Sequence, residues 1–211
     1  MANFLAEAFL APENLSGWVT LVGAGIGFFI AFRRYAREQT WKRAEFLSKQ
    51  MAEFFEKPRV RTALLLLDYS IIRIGRAGGL PETDEEGTRV DDKLIVQGLR
   101  SHRKFPDETE RFGKPQMLVR ASFDEFLTGL EQFDQYVDAG LVGAGDLKPY
   151  LSYWLEVLLN PGSGWKDASF YSVLAEFIKD YRYTRVTALG EKLGIRSESS
   201  SMGTGLTGST V

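Results

Sequence analysis

The hydrophobic pattern of the chain changes near residue 15 and again near residue 33. Residues 15–32 (LSGWVTLVGAGIGFFIAF) carry no charged side chain, and Arg33 and Arg34 follow directly. A helix of that length covers roughly 27 Å, close to the thickness of a bilayer's hydrocarbon core. A buried helix of a globular domain is the alternative, but it rarely ends in an arginine cluster. The stretch therefore predicts a single transmembrane helix.

Charge on the two sides of this stretch predicts its orientation. Residues 1–14 contain acidic but no basic side chains, which also disfavours a cleaved signal peptide. Basic residues outnumber acidic ones in 33–57, and basic flanks stay on the cytoplasmic side. We therefore expect an inner (cytoplasmic) membrane protein with residues 1–14 outside and the C-terminal domain in the cytoplasm. The lipid bilayer is the first predicted partner, and the side chains predicted to contact its headgroups are Arg33, Arg34, Arg37, Lys42 and Arg43.

Small residues recur at helical spacing inside the predicted span. Gly23 and Gly27 form a G-x-x-x-G pair, which lets two helix backbones approach closely in lipid. The whole predicted helix-packing face consists of Thr20, Gly23, Ala24, Gly27 and Ala31. It predicts a homo-oligomer or a partner membrane protein, although glycine and alanine are also common in membrane helices that do not associate.

Beyond the span, apolar residues repeat mainly at helical intervals. Residues 33–57 contain no proline or glycine and predict a basic juxtamembrane stalk helix that continues the span. Residues 58–195 predict a cytoplasmic bundle of four to six helices, and 196–211 a disordered Ser/Thr/Gly tail. Within the bundle we expect helices over 59–74, 91–100 and 115–139, the last ending at Gly140, and a last helix or helix pair over 167–194. An aromatic-rich helix is expected over 148–159 with Asp146 as its N-cap, and its aromatic residues, like those of 167–194, are expected in the core, with a ligand pocket as the alternative. Strand signals are weak, so the fold class is all-α.

Candidate chemistry is sparse. The chain has no cysteine and one histidine, His102, and its net charge of −2 gives no sign of nucleic-acid binding. Asp68 stands alone in an apolar run, and we expect it to form a structural hydrogen bond or ion pair. A cluster of carboxylates at 124–138 matches no EF-hand register and no Glu-x-x-His pair, so a solvated helix face is favoured over a metal site. That cluster consists of Asp124, Glu125, Glu131, Asp134 and Asp138. We predict no catalytic, cofactor-binding or metal-ligating residue and no cofactor.

Several segments resemble a group of uncharacterised bacterial membrane-anchored helical proteins. The resemblance rests on Trp41–Phe46, Phe54-Phe55, Pro58 and Leu64–Asp68, and on FDEFLTGLEQFDQY (123–136) with Gly140-Leu141 and PYLSYWL (149–155). It implies a membrane anchor and a helical domain over about residues 33–190, and it supplies no catalytic residues.

Three functions are compatible with this reading. The favoured one is a membrane-tethered, non-enzymatic interaction or regulatory module. The second is a membrane-active stress or defence effector that assembles through its transmembrane helix. The third is an inner-leaflet enzyme with an acidic metal site.

Overall fold

The computed structural model describes residues 12–75, 78–79, 81, 87–101, 112–160 and 165–195, and of residues 12–19 and Val22 it describes the backbone alone. The chain is mostly helical, as predicted, and divides into two compact units, Met1–Ser48 and Lys49–Val211. The predicted disordered tail 196–211 and the single histidine lie outside the described residues. The elements are α1 (Pro12–Glu56), α2 (Pro58–Asp68), β1 (Ile71–Ile74), β2 (Thr88–Asp91), α3 (Asp92–Leu99), α4 (Lys114–Asp138), α5 (Ala144–Leu159), α6 (Ala168–Asp180) and α7 (Thr184–Leu193).

The junction between α1 and α2 follows from one proline. A residue before proline is pushed away from helical dihedrals, and Lys57 adopts φ −59° and ψ 124°. Pro58 then occupies the first turn of α2, where its missing N–H costs no helical hydrogen bond. The helix α1 therefore ends at Glu56, one residue before the end predicted for the stalk helix.

The helix expected over 59–74 is wrong in its last part. The helix α2 ends at Asp68, because Tyr69 is already extended (φ −127°, ψ 140°), and Ile71–Ile74 form strand β1. Antiparallel pairing with β2 sets Ile72 opposite Val90 and Arg73 opposite Arg89. The β-branched isoleucines favour a pleated strand over a helix once a partner strand is present. The second unit is thus a helical bundle with a minor two-stranded sheet, where the sequence predicted helices alone.

The core of the second unit forms around α4. Phe123, Phe126, Leu127 and Leu130 are fully buried on that helix, which packs against α2, α3 and α7, while α5 packs against α7. Phe54, near the end of α1, stacks on Phe126 at 5.9 Å between ring centroids and meets Phe133 edge-on at 5.2 Å. These aromatic contacts hold the last turns of α1 in the core of the second unit.

Candidate interaction surfaces

The apolar part of α1 is exposed. Phe28 is 74% accessible and Leu21 is 67% accessible, far above the exposure of large apolar side chains in a core. The large apolar side chains in this exposed stretch are Leu21, Ile26, Phe28, Phe29, Ile30 and Phe32. At 100° per residue they occupy more than half of the helix circumference, and the small residues occupy the rest. This surface therefore has no polar side, unlike the surface of an amphipathic helix.

The residues of the predicted helix-packing face share one side of α1. Thr20, Gly23, Ala24, Gly27 and Ala31 fall within an arc of about 100° and are all exposed. A Cβ atom built on Gly23 or Gly27 would meet nothing within 4 Å. The face is thus open at both glycines.

The basic residues after the apolar stretch are distributed differently. Arg33, Arg34, Arg37, Lys42 and Arg43 are all exposed, and helical geometry spreads them around the whole circumference. We call these five residues the basic collar. The Arg33 guanidinium lies 5.0 Å from the Phe29 ring centroid, which turns it back along the apolar surface.

One member of the basic collar is ion-paired within the helix. Lys42 Nζ lies 2.8 Å from Glu38 Oε1, one turn earlier. This hydrogen-bonded contact lowers the pKa of Glu38 and raises the pKa of Lys42. Both side chains are exposed, so the pair contributes little to stability, and the charge on Glu38 offsets part of the collar.

Within the part of the chain that the structure describes, no helix combines enough length with enough hydropathy to cross a bilayer. The predicted span includes residues 15–19 and Val22, whose side chains lie outside the described part. The single transmembrane helix therefore has no support from the described residues and stays a prediction.

The acidic face of α4 is not solvated as predicted. Asp134 is 1% exposed, and its two carboxylate oxygens accept from Arg185 Nη1 at 2.8 Å and from Lys192 Nζ at 2.6 Å. Asp138 accepts from the same two cations at 3.0 Å and 2.5 Å. We call these four residues the α4–α7 ion cluster. The prediction failed because α7 lies over this part of α4 and supplies two cations that match the carboxylates.

The remaining carboxylates of the predicted cluster also have partners. Tyr183 Oη donates to Asp124 at 2.8 Å, and the backbone N–H of Arg185 donates to Glu131 at 3.2 Å. Burial raises the pKa of the Tyr183 phenol, and the hydrogen bond to Asp124 raises it further. Glu125 lies 3.9 Å from Lys57. Among the described residues, no group of three or more histidines or carboxylates has the arrangement of a metal site.

The α4–α7 ion cluster predicts a defined acid sensitivity. The hydrogen bonds from Lys192 and then from Arg185 hold the pKa of Asp138 below its usual range. A carboxyl group with a depressed folded-state pKa adds stability above its unfolded-state pKa of about 3.9, and that stability is lost as the pH falls through the folded-state value. We expect the midpoint of urea unfolding to fall more steeply between about pH 5 and pH 3 in the wild-type chain than in Asp138→Asn.

The control for this measurement is Glu191→Gln, which removes a carboxylate from an exposed position on α7 without touching the ion cluster. Because Asp138 is half-exposed, the difference should shrink in 1 M salt. Equal slopes for wild type and Asp138→Asn would show that the cluster does not stabilise the fold through this charge.

Asp68 forms the structural hydrogen bond that the sequence suggested. Its Oδ1 accepts from Tyr153 Oη at 2.7 Å. This hydrogen bond is the largest cause of the raised pKa of the Tyr153 phenol. Tyr150 and Tyr153, which aromatic spacing placed in the core, are instead exposed on α5. Of the aromatic residues proposed as core or pocket on α5 and α6, Phe170 and Phe177 are buried.

One buried charge was missed by sequence reasoning. The side chain of Lys166 has no accessible surface, and its Nζ donates to Asp92 Oδ1 at 2.5 Å and to the carbonyl of Tyr69 at 2.9 Å. The rings of Trp165 and Phe170 lie 4.8 and 5.1 Å from the ammonium. A lone lysine in a polar loop carries no signal of burial, so this pair was visible only in the fold.

Comparison with known proteins gives no match to a family model, a curated protein or a solved structure. The resemblance to bacterial membrane-anchored helical proteins therefore stays a prediction.

Proposed function

We propose that this chain is a membrane-tethered, non-enzymatic interaction or regulatory module. The observation that carries the proposal is the exposed helical surface formed by residues 20–21 and 23–32, which is apolar on every side and ends at the basic collar. Apolar surface of this extent is rarely left in water, and a helix that is apolar all round requires an apolar environment all round. A bilayer supplies such an environment over the whole circumference.

The basic collar supports the same placement. A helix lying flat on a membrane would present its cations on one side, whereas these five cations encircle the axis. Such a ring matches anionic headgroups met by a helix that leaves the bilayer, and each cation contributes about 1 kcal/mol near the surface. In this proposal residues 1–14 lie outside the inner membrane, the collar lies at its cytoplasmic face, and 58–195 form the cytoplasmic domain.

Assembly through the small-residue face is part of the proposal. Thr20, Gly23, Ala24, Gly27 and Ala31 would pack against a second copy of the chain or a partner membrane helix. In the rest of the chain, several aromatic side chains are exposed and could contact a partner protein.

Two charges placed in the apolar surface test the tether. We expect Ile26→Asp with Ile30→Asp to move the full chain out of the alkali-resistant membrane fraction, because each charge near the bilayer centre costs about 2.5–3.5 kcal/mol. Leu141→Asp is the control, since Leu141 is an exposed apolar residue outside the helix. If alkaline washing releases the wild-type chain, the tether does not exist.

The same membranes test orientation and assembly. The chain has no cysteine, so a cysteine introduced at Ser169 reports which side of the membrane the domain occupies. An impermeant maleimide added to intact cells should not label it.

An amine-reactive cross-linker should yield dimers of the wild-type chain, and Gly23→Leu with Gly27→Leu should abolish them. Gly25→Leu lies off the face and should leave them unchanged.

A further inference from the structure

A cavity of about 470 Å³ lies beside α4 in the second unit. The α4 residues that line it recur at helical spacing, so one face of that helix forms its floor. These residues are Ala121, Asp124, Glu125, Thr128, Gly129 and Gln132. The other lining residues are Lys57, at the N-cap of α2, and Arg59 in the first turn of that helix. A space of this volume falls in the range that holds small ligands.

The charged groups that line the cavity balance in number. Two are cations, Lys57 and Arg59, and two are carboxylates, Asp124 and Glu125. Lys57 Nζ lies 3.9 Å from Glu125 Oε1, so each of these two already has a counter-charge. Among the residues that the structure describes, neither Arg59 nor Asp124 has a side chain of opposite charge within ion-pair distance. A cavity with no net charge and one unpaired charge of each sign favours a ligand that carries both signs.

The Asp124 carboxylate is held in place by a neutral side chain. Tyr183 Oη donates to its Oδ1 at 2.8 Å and also hydrogen-bonds to Thr128, one turn further along α4. A phenol that donates to a carboxylate leaves the negative charge on it. In the described part of the chain, no group donates to Oδ2 of Asp124. The carboxylate is therefore fixed in position and keeps one oxygen for the ammonium group of a ligand.

The side chain of Arg59 packs on a glycine that is itself tied to α2. A Cβ atom built on Gly78 would lie 3.1 Å from Arg59 Cγ, and the carbonyl of Gly78 accepts from the buried hydroxyl of Thr62 at 2.8 Å. This contact supports the stem of Arg59, whereas its guanidinium forms no hydrogen bond within the described ranges. A guanidinium binds a carboxylate through paired hydrogen bonds, so Arg59 suits the acidic end of a ligand.

We propose that this cavity binds a small zwitterion, an amino acid whose carboxylate meets Arg59 and whose ammonium group meets Asp124. Because Arg59 belongs to α2 and Asp124 to α4, the bound amino acid bridges the two helices and stabilises their packing. The inference goes beyond the proposed function, since it assigns a small ligand to the second unit. It holds whether or not α1 is a membrane tether.

Three amino acids of increasing length provide the probes: glycine, 4-aminobutanoate and 6-aminohexanoate. Each is compared with the unbranched carboxylate and the unbranched amine of the same length, which carry one charge only. Ligand-detected NMR titration of the full chain in neutral detergent gives the dissociation constants, with protein-free micelles as the blank. At least one amino acid should bind at least about fivefold more tightly than both of its analogues, because each analogue loses one charge-assisted contact.

Neutral substitutions identify the two contacts. Asp124→Asn keeps an acceptor for the phenol and should make the amino acid bind no better than the carboxylate. Arg59→Gln should make it bind no better than the amine. Ala121→Phe fills the cavity without changing a charge and should abolish binding. Lys49→Gln with Glu53→Gln removes one cation and one carboxylate at exposed positions of α1 outside the cavity and should leave the preference intact.

Urea unfolding gives a second readout, because a ligand that binds only the folded chain raises its stability. The preferred amino acid should raise the unfolding midpoint of the wild-type chain but not that of Asp124→Asn. The inference is wrong if no amino acid binds more tightly than its analogues, or if the preference survives both Asp124→Asn and Arg59→Gln. These measurements use the full chain in detergent, so their failure is distinct from a failure of membrane association.

Discussion

Gly129→Ala is expected to lower the free energy of unfolding by about 1–3 kcal/mol, the usual cost of overpacking a core. A Cβ atom at Gly129 would lie 2.2 Å from Cε2 of Phe54, far inside contact distance. The ring cannot turn aside easily, because it is stacked on Phe126 and meets Phe133 edge-on. The substitution therefore pushes the end of α1 away from α4.

Gly145→Ala provides the matched control. It is the same substitution in a helix, at a position where a Cβ would meet nothing within 4 Å. We expect a gain of about 0.5–1 kcal/mol there, because alanine loses less conformational entropy than glycine in a helix. Urea unfolding of the full chain in neutral detergent, followed by circular dichroism, measures both. A loss at Gly129 no larger than the change at Gly145 would contradict the packing of Phe54 against α4.

Phe54 and Gly129 show that sequence patterns predict the position of a helix but not its tertiary contacts. Helical spacing of apolar residues identified α4 to within a residue at each end, and Gly140, with φ +67°, ends it as expected. The pattern also predicts an apolar face that includes Phe123, Phe126 and Leu130, which are buried, but it includes Met117, which is 52% exposed. It could not show that a glycine on this helix admits a ring from a helix about 75 residues earlier, because such fits depend on tertiary packing.

Short-range sequence signals also failed at one helix start and at the hairpin. Asp146 looked like the N-cap of α5, but Gly143 occupies that position, and Asp146 accepts from its backbone N–H at 3.0 Å from inside the first turn. The hairpin was missed because each strand has four residues, too few for alternation to stand out from a helical pattern.

The candidate surfaces also differ in whether the sequence alone could predict them. The basic collar and the small-residue face follow from composition and helical spacing along one helix, so their positions could be predicted. The α4–α7 ion cluster and the β1–β2 hairpin join residues that are distant in sequence. Arg185 and Lys192 gave no sign that they would cover Asp134, and the pairing of Arg73 with Arg89 depends on a strand register that only the fold defines.

Asp92→Ala should destabilise the chain by about 3–5 kcal/mol, the cost of leaving a buried ion without its counter-ion. The Lys166 side chain has no accessible surface, whereas that of Asp92 is 35% exposed. Without Asp92 the ammonium would keep the carbonyl of Tyr69 and the faces of Trp165 and Phe170, which cannot replace a carboxylate. The first turn of α3 would also lose an acidic residue, worth about 0.3–1 kcal/mol.

Because Lys166 is buried and Asp92 is partly exposed, removing one partner should cost more than removing the other. Lys166→Met removes the buried charge and leaves a carboxylate that water can reach, so it should cost less than Asp92→Ala. The double variant should be more stable than Asp92→Ala alone, because methionine fills the same volume without requiring a counter-ion. Lys93→Met, at an exposed neighbouring position, is the control and should change stability by less than about 0.5 kcal/mol. If the effects of Asp92→Ala and Lys166→Met simply add in urea unfolding, the two groups are not coupled and Lys166 is not held as a buried cation.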